Sequence, residues 1–328
     1  MGALPDPDVP LDQQTAFETF GAILDGAHDE DSLVTFLTRM AERDETSAEI
    51  AGAALAMRAR MLPIAAPANA IDVCGTGGDG AHSLNVSTAV AIVVAAAGVP
   101  VAKHGNRAAS SKAGAADTLE ALGLDLDRAS DRAEASLAEI GLCFLFAQKH
   151  HPALKPLGPV RRRIGRRTIF NLLGPIANPA GVRRQLIGVA RPDFLPVYAG
   201  AIERIGCDAA LLVSGDEPLD EISIAGPSSL FRIGAIGAGP ERFAPEAAGL
   251  PRHPLAAIRG GDAAFNAAAL RRLLDGEAGA YRDAVLLNAA AALIVAGRTG
   301  DWFGAIATAG EAVDTGAARR ILERWIAY

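Results

Sequence analysis

The sequence contains little cysteine, and what it contains forms no recognisable pattern. Cys74, Cys143 and Cys207 are its three cysteines, and they are widely separated along 328 residues. This spacing excludes a disulfide framework and the closely spaced pair that typically binds zinc. We therefore interpret all three as buried apolar residues, as expected for a protein of the reducing cytoplasm.

Excess positive charge and long apolar runs are also absent. The net charge of −7 and the isoelectric point near 5.4 argue against a general surface for nucleic acid or an anionic membrane. They leave room for a small basic pocket. No apolar run reaches the roughly 18 residues that a membrane-spanning helix needs, and the longest, residues 89–97, is predicted to form a core helix. We expect a cytoplasmic protein without nucleic-acid or membrane partners.

Aromatic residues are scarce, at 5% of the chain, and the N-terminal segment places several apolar residues at helical spacing. Phe17 and Phe20 belong to the first predicted helix, and Ser32 is predicted to cap a second. Thr46 and Glu49 have the spacing of a capping box before a third helix. Because the apolar faces are broad for such short helices, we expect them to pack against a partner subunit as well as each other.

From residue 71 onward, short apolar runs alternate with helical stretches. Residues 71–74, 100–103, 144–146 and 210–213 are predicted strands, and residues 113–122, closed by Gly123, are a predicted helix. This alternation indicates an α/β fold with a central, largely parallel sheet and helices on both faces. Ligands in such sheets lie beyond the carboxyl ends of the strands. No linker precedes residue 71, so the helical segment should dock directly on the sheet.

A glycine-rich turn follows the first of these strands. Residues 75–80 read Gly-Thr-Gly-Gly-Asp-Gly, and residues 83–88 then lead into the apolar helix. Such a turn directs unpaired backbone N–H groups and the positive end of a helix dipole at one place, where phosphate is the natural ligand. Many ordinary tight turns also carry three glycines, so this loop alone is a weak signal.

Hydrogen-bond donors are concentrated after the second predicted strand. Residues 103–112 read Lys-His-Gly-Asn-Arg-Ala-Ala-Ser-Ser-Lys, and each of their polar side chains can donate to an anion. The alternative is a solvated surface turn. We favour a functional loop, because an exposed turn has no need of so many donors beside a second glycine loop.

Five arginines lie between Arg161 and Arg167, shortly after the pair His150-His151. Most members of such a run are solvated or form ion pairs. At least one arginine here could bind a substrate carboxylate through two parallel hydrogen bonds, although the spacing does not identify it. Packing or a simple polar contact is the expected role of His150.

Two adjacent carboxylates, Asp220 and Glu221, follow the strand at 210–213. Adjacent carboxylates repel each other unless they are solvated or bridged by cations, and a plain surface loop is one interpretation. Next to a polyphosphate they would instead form a magnesium anchor, because magnesium prefers oxygen ligands and substrate phosphates. Asp79 could serve the same region or bond its own loop.

At this point the chain resembles the anthranilate phosphoribosyltransferase family. The resemblance runs from the N-terminal helices to residues 282–289. It rests on separated motifs that are specific together and in this order: GTGGDG at 75–80, NVST at 85–88, KHGNRAASS at 103–111, TIFNLLGPIANPAG at 168–181 and LDEIS at 219–223.

The resemblance implies an architecture and a reaction. It implies a small all-helical domain (residues 1–68, with roughly 153–178 returning to it) and a larger α/β domain (69–152 and 179–328) that binds 5-phosphoribosyl 1-pyrophosphate (PRPP). It implies a homodimer formed through the helical domain. The reaction transfers the phosphoribosyl group of PRPP to the amine of anthranilate, releases pyrophosphate, and uses magnesium, with two ions per subunit.

The family's pattern also implies site residues at matching positions. Its PRPP contacts fall on Gly75, Gly78, Asp79, Ser83, Asn85, Val86, Ser87, Thr88, Lys103, His104, Gly105, Asn106, Arg107, Ala108, Ala109, Ser110, Ser111 and Ala115. Its anthranilate contacts fall on Gly75, Asn106, Arg161, His104 and His151. Its metal contacts fall on Ser87, Asp220 and Glu221.

The chain departs from the family's common pattern at a few positions. Ala113 and Ala115 stand where serine is frequent, so any contact of Ala115 with the donor must come from its backbone. Pro156 and His150 replace a polar and an aromatic residue, which affects the shape of the anthranilate channel rather than the reaction. Because an aryl amine already carries a usable lone pair, we expect no residue to act as a strong general base, and positioning to supply most of the rate.

Two other functions compete with this interpretation. A pyrimidine nucleoside phosphorylase shares the architecture and a GTGG loop, but a lysine-serine pair usually follows its glycines, whereas this chain continues Asp79-Gly80-Ala81. A catalytically silent relative that binds nucleic acid would need a basic surface, and the arginines at 161–167 are the one candidate in an acidic protein.

Overall fold

The computed structural model describes residues 3–108, 112–217 and 219–328. Its N-terminal segment forms α1 (Gln13–Leu24), α2 (Glu30–Glu42) and α3 (Ser47–Arg58). The capping box predicted at Thr46 and Glu49 is confirmed. The cap predicted at Ser32 is wrong, because Asp29 caps α2 and accepts from the Ser32 amide. Both residue types cap helices well, and only the register of the first turn distinguishes them.

Seven strands form one sheet in the order β3-β2-β1-β4-β5-β6-β7. Their bounds are β1 Ile71–Gly75, β2 Val101–Gly105, β3 Leu142–Phe146, β4 Arg184–Gly188, β5 Ala209–Gly215, β6 Ser228–Gly234 and β7 Gly239–Phe243. The first five strands are parallel, and β6 and β7 add an antiparallel edge. The predicted α/β class with a largely parallel sheet is confirmed, although β4, β6 and β7 were not predicted.

Helices connect the strands and follow the sheet. They are α4 Val86–Ala96, α5 Ala115–Leu122, α6 Leu126–Asp131, α7 Ala133–Ile140, α8 Ala147–His150, α9 Gly158–Ile164, α10 Leu173–Ile176, α11 Leu195–Ile205, α12 Ala263–Leu274, α13 Ala280–Val295, α14 Trp302–Asp314 and α15 Ala317–Ala327. Short 3-10 helices span Pro152–Leu157, Ile169–Asn171, Pro192–Phe194, Pro245–Ala248 and Leu255–Ile258. Gly123 ends α5 in the left-handed conformation that its position predicted. Within the described ranges, no helix is both long and apolar enough to cross a membrane.

Two large apolar cores lie on opposite faces of the sheet. Helices α4 and α13 pack into one core with β1 and β5. The other core joins α1–α3 to residues 157–177, to α11 and to the opposite face of β4 and β5. Phe20 of α1 meets Phe170 edge-on, with ring centroids 5.8 Å apart. The N-terminal helices therefore pack directly against the sheet, as predicted.

The carboxyl ends of four neighbouring parallel strands meet at one edge. Gly75 of β1 is in register with Gly188 of β4, and Gly105 of β2 with Phe146 of β3. The glycine-rich turn, the donor-rich loop and the two histidines all follow these strand ends. The sheet thus brings together segments that are far apart in the sequence.

Candidate active site

The glycine-rich turn leaves β1 in a conformation that few other residues adopt. Gly77, Gly78 and Gly80 have φ angles of 70°, 74° and 76°, in the left-handed region where a side chain is strained. The Gly77 amide donates to Asp220 Oδ2 at 2.7 Å. The Asp79 carboxylate accepts from the Ala81 amide at 3.0 Å. The Gly77 amide thus ties the turn to the acidic loop at 220–221.

The N-terminus of α4 lies beside this turn without a side-chain cap. Asn85 is the N-cap residue, but its side chain makes no capping hydrogen bond. Its Oδ1 instead accepts from Thr118 Oγ1 and from Asn266 Nδ2 at 2.5 and 2.9 Å. The Val86 amide donates to the Leu84 carbonyl oxygen at 2.7 Å, and within the described ranges the amides of Ser87 and Thr88 are left for another acceptor. An uncapped helix N-terminus is a natural anion site.

The end of β2 supplies a buried lysine. Lys103 is 3% exposed, and its Nζ donates to the Val73 carbonyl oxygen at 2.8 Å. The neighbouring Asp72 is also buried and accepts from the His104 amide at 3.1 Å and from Asn178 Nδ2 at 2.8 Å. Burial raises the pKa of Asp72 to about 6, against the opposing effect of Lys103. These contacts fix the point at which the donor-rich loop begins.

Within the donor-rich loop, side chains take different directions. Asn106 is exposed and accepts from the Arg107 amide at 2.8 Å. The Arg107 guanidinium bonds Asp117 and Glu120 on α5 at 2.9 and 2.5 Å, and these carboxylates raise the pKa of Arg107. The Arg107 side chain is thus engaged away from the glycine turn. Ala109, Ser110 and Ser111, which sequence analysis assigned to PRPP, lie outside the described residues.

Two predicted anthranilate residues, His104 and His151, face each other. Their Nε2 atoms are 3.2 Å apart, and His104 Nδ1 lies 2.8 Å from the Gly174 carbonyl oxygen. If His104 Nδ1 donates to that carbonyl, His104 Nε2 accepts from His151 Nε2–H, so the hydrogen-bond network assigns the tautomers. Burial lowers the pKa of His104 to about 4 and that of His151 to about 3. Both rings are therefore neutral at neutral pH.

His150 turns away from this pair. Its Nδ1 lies 2.8 Å from the Leu62 carbonyl oxygen, at the junction with the N-terminal helices. The polar contact expected for His150 is thus confirmed.

The five arginines of residues 161–167 separate into two groups. Arg163 bonds Asp31 at 2.5 Å, Arg166 bonds Glu42 at 3.0 Å, and Arg162 is exposed. Arg161 and Arg167 are half-buried, and burial lowers the pKa of each. Among the described residues, neither guanidinium has a hydrogen-bond or ion-pair partner. The structure thereby identifies Arg161 and Arg167 as the two half-buried arginines available to a ligand, whereas the sequence did not distinguish them from the other three.

The acidic loop brings its carboxylates to the glycine turn and to α4. Ser87 Oγ donates to Glu221 Oε1 at 2.5 Å, and the Asp220 amide lies 3.3 Å from Asp79 Oδ2. Burial and the Asp79 carboxylate raise the pKa of Asp220. Burial and Asp220 raise the pKa of Glu221. A bound cation would relieve the repulsion between these carboxylates in a site that is partly shielded from water.

This donor set fits magnesium. The Ser87, Asp220 and Glu221 side chains offer oxygen ligands alone, as the ion prefers. In the described part of the chain, no three His, Cys, Asp or Glu side chains form a complete metal cluster. An ion held here would therefore need further oxygen ligands, and substrate phosphates are the usual ones for magnesium.

Asn288 supports the acidic loop and was missed by sequence analysis. It lies in α13, is 0% exposed, and bonds both backbone groups of Ile222: Oδ1 accepts from the amide at 2.9 Å and Nδ2 donates to the carbonyl at 3.1 Å. Ile222 directly follows Glu221. A buried amide in the otherwise apolar run at 284–295 was the available signal.

Known sequences are similar to this chain over nearly its whole length. The family model described as "Glycosyl transferase family, a/b domain" matches residues 67–319. An anthranilate phosphoribosyltransferase of Novosphingobium aromaticivorans is 61% identical over 327 residues, covering 100% of this chain and 99% of the relative. One from Sphingopyxis alaskensis is 59% identical over 327 residues, covering 100% of this chain and 98% of the relative.

Solved structures are similar over the same length. The anthranilate phosphoribosyltransferase of Thermus thermophilus has a TM-score of 0.92 and 41% identity, covering 100% of this chain and 99% of that one. The Saccharomyces cerevisiae enzyme in complex with PRPP and Mg has a TM-score of 0.87 and 27% identity, covering 99% and 93%. The same yeast enzyme in complex with 4-fluoroanthranilate has a TM-score of 0.86 and 26% identity, covering 97% and 92%.

Proposed function

This chain belongs to the anthranilate phosphoribosyltransferase family, and from that membership we propose how its residues carry out the reaction. The enzyme transfers the phosphoribosyl group of PRPP to the amine of anthranilate. The products are N-(5-phosphoribosyl)anthranilate and pyrophosphate, and the step belongs to tryptophan biosynthesis. The observation that carries the assignment of residues is that the acidic loop bonds the glycine turn through Gly77 and Asp220 and bonds the start of α4 through Ser87 and Glu221.

The PRPP site is formed by the glycine turn, the N-terminus of α4 and the donor-rich loop. The backbone amides of Gly78, Asp79, Ser87 and Thr88 serve as phosphate donors. Gly75, Ser83, Asn85, Val86 and Lys103 border them. Support comes from the missing side-chain cap of α4 and from the burial of Lys103 at the end of β2. The loop after Lys103, including its backbone at Arg107 and Ala108, completes the site. Ala115 contributes through its backbone.

Magnesium is held by Ser87, Asp220 and Glu221, together with oxygens of PRPP, and we assign two ions to each subunit. A yeast relative binds PRPP and Mg, and the raised pKa values of the two carboxyl groups support an acidic site that favours a cation. The chemistry that magnesium supplies when bound is neutralisation of negative charge on the leaving group.

The anthranilate site lies on the other side of the ribose. The unpaired guanidinium of Arg161 binds the acceptor's carboxylate bidentately, and the exposed amide of Asn106 orients the ring, with Gly75 bordering it. His104 and His151 line the same site as neutral rings. Their lowered pKa values make both imidazoles weak proton acceptors, so neither serves as a strong general base.

The reaction then needs one bond to break and one to form. The bond from the anomeric carbon to the pyrophosphate oxygen breaks, and its electron pair leaves with that oxygen. The lone pair of the anthranilate amine forms the new C–N bond, and the amine loses one proton to water. Positive charge on the sugar ring rises during this step, and Lys103 and the turn amides are preorganised donors for the departing oxygens.

We further assign the domains, the assembly and the location. Residues 1–68 and roughly 153–178 form the helical domain, and residues 69–152 and 179–328 form the α/β domain; the shared apolar core of α1–α3 with residues 157–177 supports this division. The helical domain forms a homodimer, a proposal supported by the exposed Val9 and Leu62 at 57% and 54%. The three cysteines are free, which is consistent with a cytoplasmic enzyme. The prediction that all three are buried is correct for Cys143 but wrong for Cys74 and Cys207, which are half-buried.

The proposed function is tested by the ratio of anthranilate consumed to pyrophosphate released. Purified protein with magnesium should consume one anthranilate for each pyrophosphate released from PRPP. It should not cleave a pyrimidine nucleoside when inorganic phosphate replaces these substrates. Nucleoside cleavage without consumption of anthranilate would instead support the phosphorylase interpretation.

A further inference from the structure

The arginine run at 161–167 contains one residue for which the reaction above provides no role. Arg163 and Arg166 bond acidic residues of α2, Arg162 is exposed, and Arg161 is assigned to the carboxylate of the acceptor. Arg167 is the remaining arginine. Like Arg161 it is half-buried, and its guanidinium has no hydrogen-bond or ion-pair partner among the described residues.

Arg167 lies against the glycine turn. It follows Gly165, which ends α9 in the left-handed conformation with a φ angle of 62°, and the chain there turns back toward the sheet. A Cβ atom built on Gly78 would stand 3.5 Å from Arg167 Nη1 and 3.7 Å from its Cδ and Cζ atoms. The guanidinium thus lies close to Gly78, in the turn that the proposed function assigns to the donor's phosphates.

None of the described carboxyl groups near Arg167 pairs with its guanidinium. Asp220, Glu45 and Asp79 attract it electrostatically, yet none forms an ion pair with it. Glu45 is itself buried, and burial raises its pKa to about 7, so this carboxyl group is only partly ionised at neutral pH. A half-buried guanidinium without a partner is partly desolvated at a cost in free energy, and an anion would offset that cost.

A small cavity lies beside Arg167. A cavity of about 160 Å³ is bordered by Arg167, Thr168 and Glu45. Thr168 Oγ1 is buried and has no hydrogen-bond partner within the described ranges. The Arg167 guanidinium and the Thr168 hydroxyl beside this cavity thus both lack a hydrogen-bond partner within the described ranges.

We propose that Arg167 binds the diphosphate group of PRPP, and the pyrophosphate product, beside Gly78 of the glycine turn. The inference rests on the proposed function and adds a residue to it. Arginine presents a planar fork of donors that matches two phosphate oxygens. The turn amides, Lys103 and Arg167 then surround the diphosphate, while the acidic loop holds the cation that accompanies it.

The experiment measures binding of magnesium pyrophosphate to the protein by calorimetry. It compares the wild type with Arg167→Met and Arg167→Lys, and the adjacent Arg166→Met is the matched control. Arg167→Met keeps an unbranched stem but removes the charge, and should raise the Kd about tenfold or more, the usual effect of losing a hydrogen bond to a charged group. Arg167→Lys should give an intermediate Kd. Arg166→Met, whose parent arginine bonds Glu42 at the surface, should stay within about twofold of the wild type.

The same variants should separate the two substrates in steady-state assays. The KM for PRPP should rise with the Kd of pyrophosphate, while the KM for anthranilate changes less than about twofold. Folded Arg167→Met that binds magnesium pyrophosphate like the wild type would overturn the proposal, and so would equal losses in Arg167→Met and Arg166→Met. If Arg167→Met does not fold, Arg167→Lys decides, because unchanged affinity in that variant also overturns it.

Failure of this inference can be told apart from failure of the proposed function. Pyrophosphate binding requires no acceptor, so the comparison among the arginine variants stands whether or not the wild type consumes anthranilate.

Discussion

Asp220 crosses the end of β4 directly over Gly188, so closely that a Cβ atom at position 188 would overlap the Asp220 carbonyl oxygen. Gly75, the register partner of Gly188 on β1, lies under the carboxylate of the same residue, and a Cβ there would overlap Asp220 Oδ2. Two glycines on neighbouring strands therefore allow one acidic side chain to enter the site.

Replacing Gly188 by alanine should displace the acidic loop. Because the overlapping atoms belong to the backbone, the loop must move, and a shift of about 1 Å in such a site costs about 100-fold in rate. We expect Gly188→Ala to reduce kcat/KM by about that factor. Gly300→Ala is the control, since a Cβ atom at Gly300 meets nothing within 4 Å. Activity of Gly188→Ala equal to that of the control would show that the loop's position is unimportant.

The acidic pair should couple stability to pH and to magnesium. A carboxyl group whose pKa is raised by folding stabilises the folded state below its unfolded pKa of about 4, and this contribution is lost as pH rises through the folded pKa. Metal-free protein should therefore lose stability from these two groups above pH 5. Magnesium with pyrophosphate competes with the protons, so the rise in Tm that it causes should be larger at pH 8 than at pH 5.5.

The variant Asp220→Asn with Glu221→Gln isolates this effect. It should remain folded, lose magnesium-dependent turnover, and lack both the part of the pH dependence of Tm that the acidic pair causes and the shift caused by magnesium with pyrophosphate. Both proteins retain Glu45 and Asp72, whose pKa values are also raised. Both also retain the two histidines, whose lowered pKa values destabilise the folded state as pH falls below about 6.5. The difference between the two melting curves therefore reports the acidic pair. Normal turnover in the variant would contradict the metal assignment.

Asn288 should affect the metal without touching it. Asn288→Leu removes both bonds to Ile222, so the loop carrying Glu221 loses its support. We expect the magnesium concentration at half-maximal rate to rise about tenfold, the lower end of the effect of residues behind a metal's ligands, with the rate recovered at high magnesium. Ser136→Ala, which also removes a buried hydrogen bond but far from the site, should leave this concentration unchanged. A rate loss that magnesium does not restore would indicate a purely structural role.

Arg161 should discriminate between the substrates. Because its guanidinium is half-buried and unpaired, Arg161→Ala should raise the KM for anthranilate at least tenfold, consistent with loss of a charge-assisted bidentate contact. The KM for PRPP should change little. Arg163→Ala, which removes an exposed ion pair with Asp31, should change neither constant. Equal losses for both substrates in Arg161→Ala would contradict its assignment to the acceptor.

The sequence predicted those parts of the fold that local patterns encode. Short apolar runs followed by glycines located β1 and β2, and the pair Thr46 and Glu49 located the start of α3. Strand β4 was not predicted, because Arg184 and Gln185 occupy nearly half of it. The antiparallel edge of β6 and β7 depends on pairing between strands, which no local pattern specifies.

The candidate site likewise has parts that the sequence predicted and parts that it did not. Asp220 and Glu221 stood out because adjacent carboxylates repel, and the glycine turn stood out by composition. The half-burial of Arg161 and Arg167 depends on the packing of the folded chain, whereas Arg163 and Arg166 pair with acidic residues of α2. The part played by Asn288 depends on the packing of α13 against a loop about 66 residues earlier in the chain. Such contacts require the folded chain.

The most direct test of the account is the fluorescence of anthranilate, followed in the presence of purified protein, PRPP and magnesium, with each component omitted in turn. We predict that the fluorescence falls only when all components are present, as free anthranilate is converted. Persistent fluorescence with folded protein and all components present would contradict the central claim, and so would a decrease that requires neither PRPP nor magnesium.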